Sequence, residues 1–267
     1  MTGVQEYEGY KYEKGSVAKV TDPLTVESPL QISINGESFT VVMQTPGDEK
    51  DLAIGLLYAE DVIKDFNSVQ FEFTKDSREF IQEINLITEA NNLGNGYMSS
   101  RSLLSVSSCG ICGKKEIEDL MPKESKLMSE LYFSFDQLFS CHKNMQEGQL
   151  NFLKTGGCHG VAAFNKNGEI LSLKEDIGRH NALDKVIGDL IQRNLLESAK
   201  LITFSGRTSY EIVSKAFRAK IPVIAAVSSP SSLAIDFAKE FGLTLIGFCR
   251  DNKGTCYSNP NRLNLTI

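Results

Sequence analysis

Two cysteines, Cys109 and Cys112, stand two residues apart in the stretch "SSCGICGK". A Cys-x-x-Cys pair can hold zinc, cycle as a disulfide or carry sulfur. Zinc needs about four ligands, and the other Cys/His clusters are only the adjacent pairs Cys141-His142 and Cys158-His159. A zinc deaminase places His-x-Glu upstream of Pro-Cys-x-x-Cys; here His159 is followed by Gly160 and Val161, and the Cys pair lies upstream. The geometry of a redox pair is compatible with the local pattern, because a short apolar run, "LLSVS", leads into Cys109 and a helix-like run, "KKEIEDLM", follows. Gly110 and Gly113 make an exposed, adaptable loop, and Lys114 and Lys115 favour the thiolate. At this level the chemistry of the pair stays open between sulfur carriage, redox cycling and metal binding.

A second group of residues suits an anionic ligand. "EDIGRHNALDKVIG" places Gly178, Arg179 and His180 at a helix start, where backbone N–H groups and a guanidinium favour phosphate. Its paired acids, Glu175 and Asp176, could orient Arg179 or bind a ring edge. "SGRTSYE" ends a buried-type strand with Ser205, Gly206 and Arg207, and "SSPSS" repeats the arrangement one strand later. "GFCRDNKGTCY" then puts Arg250 and Lys253 after the last main strand. Ligands of open α/β sheets bind at the carboxyl ends of strands. Each loop alone reads equally well as a charged capping turn; three in succession favour an anion along that edge. "KTGGCHG" could also approach an anion through Gly156 and Gly157, although His159 alone reads as a structural histidine. No Gly-x₄-Gly-Lys-Ser/Thr loop exists, which disfavours a plain nucleotide hydrolase.

The elements that must position these residues fall into two parts. "PLQISINGESFTVVMQTP" alternates around Asn35-Gly36, a two-residue hairpin signal. "GDEKDLAIGLLYAEDVI" predicts a helix with Leu52, Leu56, Leu57 and Ile63 as its stripe; strand-like runs follow at "VQFEFT" and "EFIQEINLIT", then a loop at "EANNLGNGYMSSR". The first ~25 residues are polar and predicted to be poorly tied down. Beyond Gly156, strands "GVAAF", "KLITFS", "IPVIAAVS" and "LTLIGFC" alternate with helices, which predicts a largely parallel sheet. Capping boxes are expected at Ser134/Gln137 and Thr208/Glu211, and a helix stop at Gly242. The expectation is an α/β protein: an N-terminal α+β domain over residues 1–125, ending in the Cys-x-x-Cys loop, and a C-terminal α/β domain over residues 126–267.

Composition narrows the class. With 267 residues, 41% hydrophobic and 23% charged, the chain can bury a full core. A net charge of −6 argues against nucleic acid. No run reaches the ~18 apolar residues of a membrane span, and the N-terminus lacks the apolar core of a signal peptide. Six cysteines are too sparse for a disulfide framework, so a reducing cytoplasm is expected. Cys141, Cys249 and Cys256 lie in or beside apolar runs and read as packing residues.

These motifs, "TPGDEKDLAIGLL", "SSCGICGK", "TGGCHGVAAF", "EDIGRHNALDKVIG", "SGRTSYEIVSKA" and "IPVIAAVSSPSSLAIDFAKEFGLTLIGFCR", with the closing Tyr257, run in the order of the FdhD proteins, accessory sulfurtransferases of formate dehydrogenase. The chain resembles that family from about Pro29 onward. The resemblance implies a cytoplasmic homodimer whose C-terminal domain is cytidine-deaminase-like but lacks the deaminase zinc, with no intrinsic metal. It implies sulfur transfer from a cysteine desulfurase to the molybdenum bis(molybdopterin guanine dinucleotide) cofactor before insertion into formate dehydrogenase. By motif, Cys109 corresponds to the persulfide-bearing cysteine and Cys112 to its partner. Phe248, Cys249, Arg250, Asp251, Asn252 and Lys253 correspond to the segment that binds the cofactor, to which the residue reading adds Arg179, His180, Ser205 and Arg207. Cys158 replaces the residue many members carry between Gly-Gly and His. The alternatives are a cofactor-protecting chaperone that moves no sulfur and a zinc-dependent deaminase-like hydrolase.

Overall fold

The computed structural model describes residues 3–100 and 125–264. Cys109 and Cys112, with the strand and helix predicted beside them, lie outside the described residues.

The N-terminal segment forms a hairpin of β1 (Val4–Glu13) and β2 (Ser16–Thr25), paired without interruption from Val4 opposite Thr25 to Glu13 opposite Ser16. Its polar composition hid this, but tyrosines and valines interleaved with charges suit a strand with both faces wet, and Lys14 and Gly15 both take the positive φ of a tight turn. The hairpin is fastened at its base, where Val26 N–H donates to the Gly3 carbonyl at 3.0 Å and the Thr25 and Thr155 hydroxyls lie 2.7 Å apart.

A four-stranded sheet follows, in the order β4-β3-β6-β5, from β3 (Ser28–Ile34), β4 (Glu37–Gln44), β5 (Gln70–Lys75) and β6 (Ile81–Ile87). The predicted hairpin turn is present, with φ of 52° at Asn35 and 80° at Gly36. Helix α1 (Glu49–Ala59) buries Leu52 and Leu57 against Leu30, Ile32, Ile84 and Leu86. The predicted loop after β6 instead contains α2 (Asn95–Ser100). Gly94 and Gly96, which look like loop residues, are required by packing: a Cβ on either would collide with the backbone of Asp61 or Glu60.

The C-terminal half begins with α3 (Phe135–Gly148) and α4 (Leu150–Thr155) and is built on a six-stranded sheet. The order is β12-β11-β10-β9-β7-β8, from β7 (His159–Phe164), β8 (Ile170–Asp176), β9 (Leu201–Phe204), β10 (Val223–Ala226), β11 (Thr244–Arg250) and β12 (Lys253–Ser258). The sheet is less parallel than predicted: β9, β10 and β11 run parallel, while β7, β8 and β12 pair antiparallel to their neighbours. The reason is connection length. A short turn cannot return a strand parallel, and β8 and β12 each follow their partner through such a turn, the second at Asp251-Asn252 with φ of 52° and 56°.

Side chains alternate across this sheet. Val161 and Ala163 face α5 (Arg179–Gln192), α6 (Tyr210–Arg218) and α7 (Ser232–Phe241), while Ala162 and Phe164 face Leu138, Cys141 and Met145 of α3. The Ser134/Gln137 capping box is present in both directions. The Thr208/Glu211 box is not: Ser209 is the N-cap, it makes no side-chain cap bond, and Glu211 turns to His180. Helix α7 stops at Gly242, whose φ of 77° matches the predicted glycine stop. Among the described residues no helix is long and apolar enough to cross a membrane.

Candidate functional site

The edge where β9, β10 and β11 end also receives the start of β7, which lies antiparallel to that set, and the end of β8, which reverses β7 and so runs in the same direction as β9. The paired acids of β8 are consumed in building this edge. Asp176 is fully buried; its Oδ2 takes the Lys185 ammonium at 2.8 Å and the Thr45 N–H at 3.0 Å, and its Oδ1 accepts Gly178 N–H at 2.8 Å and Asn181 Nδ2 at 3.0 Å. Lys185 also donates to the Thr45 carbonyl at 2.7 Å, and Asn181 to that of Met43. Asp176 therefore ties the β4–α1 connection to the start of α5 and has no hydrogen bond left for a ligand ring. Glu175 accepts the Asn151 and Phe152 N–H groups, each at 2.8 Å, capping α4. Neither acid orients Arg179, as the sequence had suggested.

With its acids engaged, the edge is cationic. Arg179 opens α5, and among the described residues its buried Nε has no hydrogen-bond partner. Arg207 is exposed on the loop after β9. Between them lies His159, whose pKa is lowered first by burial and then by the charges of Arg179 and Arg207. His159 Nδ1 is 3.5 Å from Ser205 Oγ, which accepts the Gly160 N–H at 3.0 Å. Gly206 makes room for the ring, since a Cβ there would stand 3.0 Å from Nδ1. His180 Nε2 is 2.9 Å from Glu211 Oε2 and 3.2 Å from Ser209 Oγ, so it braces α5 against α6. The structure thus brings Arg179, Ser205 and Arg207 around His159, a residue the sequence reading set aside. The missed signal was topological: His159 starts β7, and antiparallel pairing puts that start beside the end of β9.

The neighbouring loops close up beside this cluster. Thr208 N–H donates to the Ser229 carbonyl at 3.2 Å and Ser231 N–H to that of Thr208 at 3.0 Å. Phe248 N–H donates to the Ser228 carbonyl at 3.1 Å. The segment Phe248–Lys253 is a bulge followed by a hairpin turn, with a register break between Gly247 and Arg250. Phe248 takes a φ of 53°, rare for a bulky residue, and its ring is 42% exposed. Cys249 turns inward and is buried against the α3 core, whereas Arg250, Asp251, Asn252 and Lys253 are exposed at the tip. Of the predicted contacts, Cys249 therefore serves packing. Bulges re-aim side chains at functional sites, and this one presents an aromatic ring and two cations at the end of β11.

The described cysteines all have raised pKa values, first through burial. Burial pushes Cys141 up to about 11 and Cys249 up to about 12. Cys158 rises to about 12 through burial and the Glu175 carboxylate, to which its thiol donates at 3.3 Å. The Cys-x-x-Cys pair lies outside the described residues.

Comparison with known proteins gives concordant results. The sequence profile of the FdhD/NarQ family matches residues 25–264. A sulfur carrier protein FdhD of Sulfolobus acidocaldarius is 37% identical over 262 residues, covering 96% of both chains. That of Saccharolobus solfataricus is 38% identical over 97% of this chain and 98% of its own. That of Streptomyces avermitilis is 35% identical over 94% of this chain and 92% of its own. Among solved structures, a Desulfotalea psychrophila protein described provisionally as a formate dehydrogenase accessory protein superposes with a TM-score of 0.75 at 22% identity, covering 97% of this chain and 99% of that one.

Proposed function

Because the chain belongs to the FdhD/NarQ family, we propose that it carries sulfur as a persulfide on Cys109 and delivers it to the molybdenum bis(molybdopterin guanine dinucleotide) cofactor destined for formate dehydrogenase. The observation that carries this reading is the near-full-length match to proteins named sulfur carriers, joined to a cationic sheet edge. In this reading the six-stranded half is the cytidine-deaminase-like domain, and the protein works as a cytoplasmic homodimer.

The chemistry of the pair follows from thiol exchange. The Cys109 thiolate attacks the terminal sulfur of a persulfide on a cysteine desulfurase; the donor S–S bond breaks and the donor thiolate leaves. Cys109 then bears the extra sulfur. Attack by Cys112 on the Cys109 sulfur forms a Cys109–Cys112 disulfide and releases hydrosulfide to the acceptor, so the pair supplies the two electrons. A cellular dithiol resets the disulfide. Lys114 and Lys115 favour the thiolates throughout.

The cationic edge suits the acceptor, a molecule with several phosphates. Among the described residues Arg179 Nε is a buried donor without an acceptor, and Arg207 and His159 flank it. An anion there would fill that vacancy with a charge-assisted hydrogen bond. Arg250 and the Phe248 ring extend the surface toward a guanine-bearing end.

The experiment is intact-protein mass spectrometry with peptide mapping after incubation with a cysteine desulfurase and cysteine. One added sulfur atom on Cys109 or Cys112 is the expected result. No adduct, or full rescue of formate dehydrogenase by a Cys109→Ala/Cys112→Ala double variant, would overturn sulfur transfer and leave the chaperone reading.

A further inference from the structure

The β1–β2 ribbon is unsupported in a single copy. Its strands are 10 residues each, about 34 Å long at a strand's usual rise. Among the described residues no third strand joins it, and α4 meets it mainly on the β2 side, near its base. A two-stranded ribbon is marginal in water, and a third strand or more is needed for independent stability. Tyr7, Tyr10, Tyr12 and Val17 are each more than half exposed on it.

The two edges of the ribbon differ. Lys14-Gly15 is a two-residue turn, so the flanking Glu13 and Ser16 form a hydrogen-bonded pair, and such pairs alternate with open ones along the ladder. The bond from Val26 N–H to the Gly3 carbonyl falls on the same count. Val4, Glu6, Glu8, Tyr10 and Tyr12 therefore turn their N–H and C=O groups away from β2, and Val17, Lys19, Thr21, Pro23 and Thr25 turn theirs away from β1. The β2 edge is blunted: Pro23 has no N–H, Lys19 places a charge there, and the Thr25 hydroxyl is tied to Thr155. The β1 edge has no proline and is open along its length.

Gly9 lies in the middle of that open edge. Its φ is not positive, and a Cβ there would meet nothing within 4 Å, so nothing within one copy calls for glycine. A glycine inside a strand marks a close approach by another backbone.

We propose that β1 pairs antiparallel with β1 of a second copy across a two-fold axis at Gly9, joining two ribbons into one four-stranded sheet. This register sets Glu8 opposite the second copy's Tyr10, Glu6 opposite its Tyr12 and Tyr7 opposite its Lys11, so no like charges face each other. An axis at Glu8 would oppose the two Glu8 side chains, and one at Tyr7 would set Glu6 against Glu8, both unfavourable. At the axis the two Gly9 residues form an open pair, where the Cα atoms of an antiparallel ladder come closest. A second copy fits better than a sulfur donor or acceptor, because the ribbon needs support at all times and those partners bind in turn. The ribbon's four acids and three lysines nearly balance, so it does not offer the one-signed face that steers a transient partner. The inference rests on the homodimer reading above and names the surface that makes the dimer.

The test is sedimentation of the full chain over a concentration series, comparing Glu8→Pro with Thr21→Pro directly opposite it. Each proline removes an outward N–H and leaves the β1–β2 ladder bonded; a thermal melt checks that the variants fold. Glu8→Pro should raise the dimer dissociation constant about ten-fold or more, and Thr21→Pro should leave it unchanged. Oxidised Gly9→Cys should give a reducible covalent dimer, with peptide mapping placing the bridge at position 9, since an open pair brings Cα atoms within disulfide reach. A dimer weakened by neither proline, with no bridge at position 9, overturns the β1 edge and leaves the homodimer reading intact. Equal weakening by both prolines places the contact on the ribbon's faces and also overturns the edge. A monomeric unaltered chain overturns both readings.

Discussion

Gly55 of α1 and Gly188 of α5 occupy reciprocal positions at one helix crossing: a Cβ on Gly55 would overlap the backbone carbonyl of Asp184, and a Cβ on Gly188 that of Asp51. The two helices belong to different sheets, so this contact joins the halves of the molecule. Nearby, Lys174 of β8 reaches Asp48 at 2.6 Å and Asp51 at 2.7 Å, supporting the same junction.

Alanine normally stabilises a helix relative to glycine, by about 1 kcal/mol. At this crossing the sign should reverse. Gly55→Ala and Gly188→Ala should each destabilise by about 3 kcal/mol, because the obstructing atoms are backbone and cannot rotate away. Urea unfolding measures it, and a stabilised variant would show that the helices are not in contact.

Asp176→Asn should cost about 3–5 kcal/mol, since it leaves the buried Lys185 ammonium without its carboxylate. The β4–α1 connection at Thr45 should loosen with it. Hydrogen exchange at the Thr45 amide, now bonded to Asp176, reports this directly; unchanged protection would mean that Asp176 is not the fastening point.

The buried His142 makes stability depend on pH. Its folded pKa of about 4 lies below the ordinary 6.5, so the unfolded chain binds the proton more readily. This stability is fully present above about pH 6.5 and is lost as pH falls toward 4. The loss totals about 3 kcal/mol. His142→Phe should flatten that part of the profile in denaturation series across the range. A profile identical to that of the unaltered chain would mean the imidazole is solvated.

Phe248→Gly separates strain from function. A bulky residue in the left-handed region costs about 1–2 kcal/mol, and the ring is partly exposed, so the variant should match or exceed the original in thermal stability. GDP affinity should fall. A clear drop in stability instead would mean that the ring serves packing.

Iodoacetamide at pH 8 should label Cys109 and Cys112 far faster than the other four cysteines. Burial raises the pKa of Cys141, Cys158, Cys249 and Cys256 above the ordinary thiol range, and only thiolates react. Peptide mapping over time measures this, and rapid labelling of Cys158 would refute its account as a thiol held protonated by Glu175.

Much of the fold was legible because it rests on local rules. The Asn35-Gly36 turn, the Ser134 capping box and the Gly242 stop each depend on a few consecutive residues, as do the apolar strands of the six-stranded sheet. Membership of the FdhD/NarQ family was equally local, carried by short ordered motifs such as "EDIGRHNALDK". Reading failed where a residue's meaning depends on a distant partner. Glu175 and Asp176 look free to serve a ligand until Asn151, Thr45 and Lys185 are brought to them. Glu211 fits a capping box, but His180 lies 2.9 Å away and claims it. His159 and His142 each look like an ordinary histidine when taken alone. The first joins the cationic edge through antiparallel pairing of β7 with β9, and the second is buried by the packing of α3 on the sheet. Local backbone preference fixes elements and their ends. Which side chains share a cleft depends on how strands pair and helices cross, through contacts spanning more than a hundred residues.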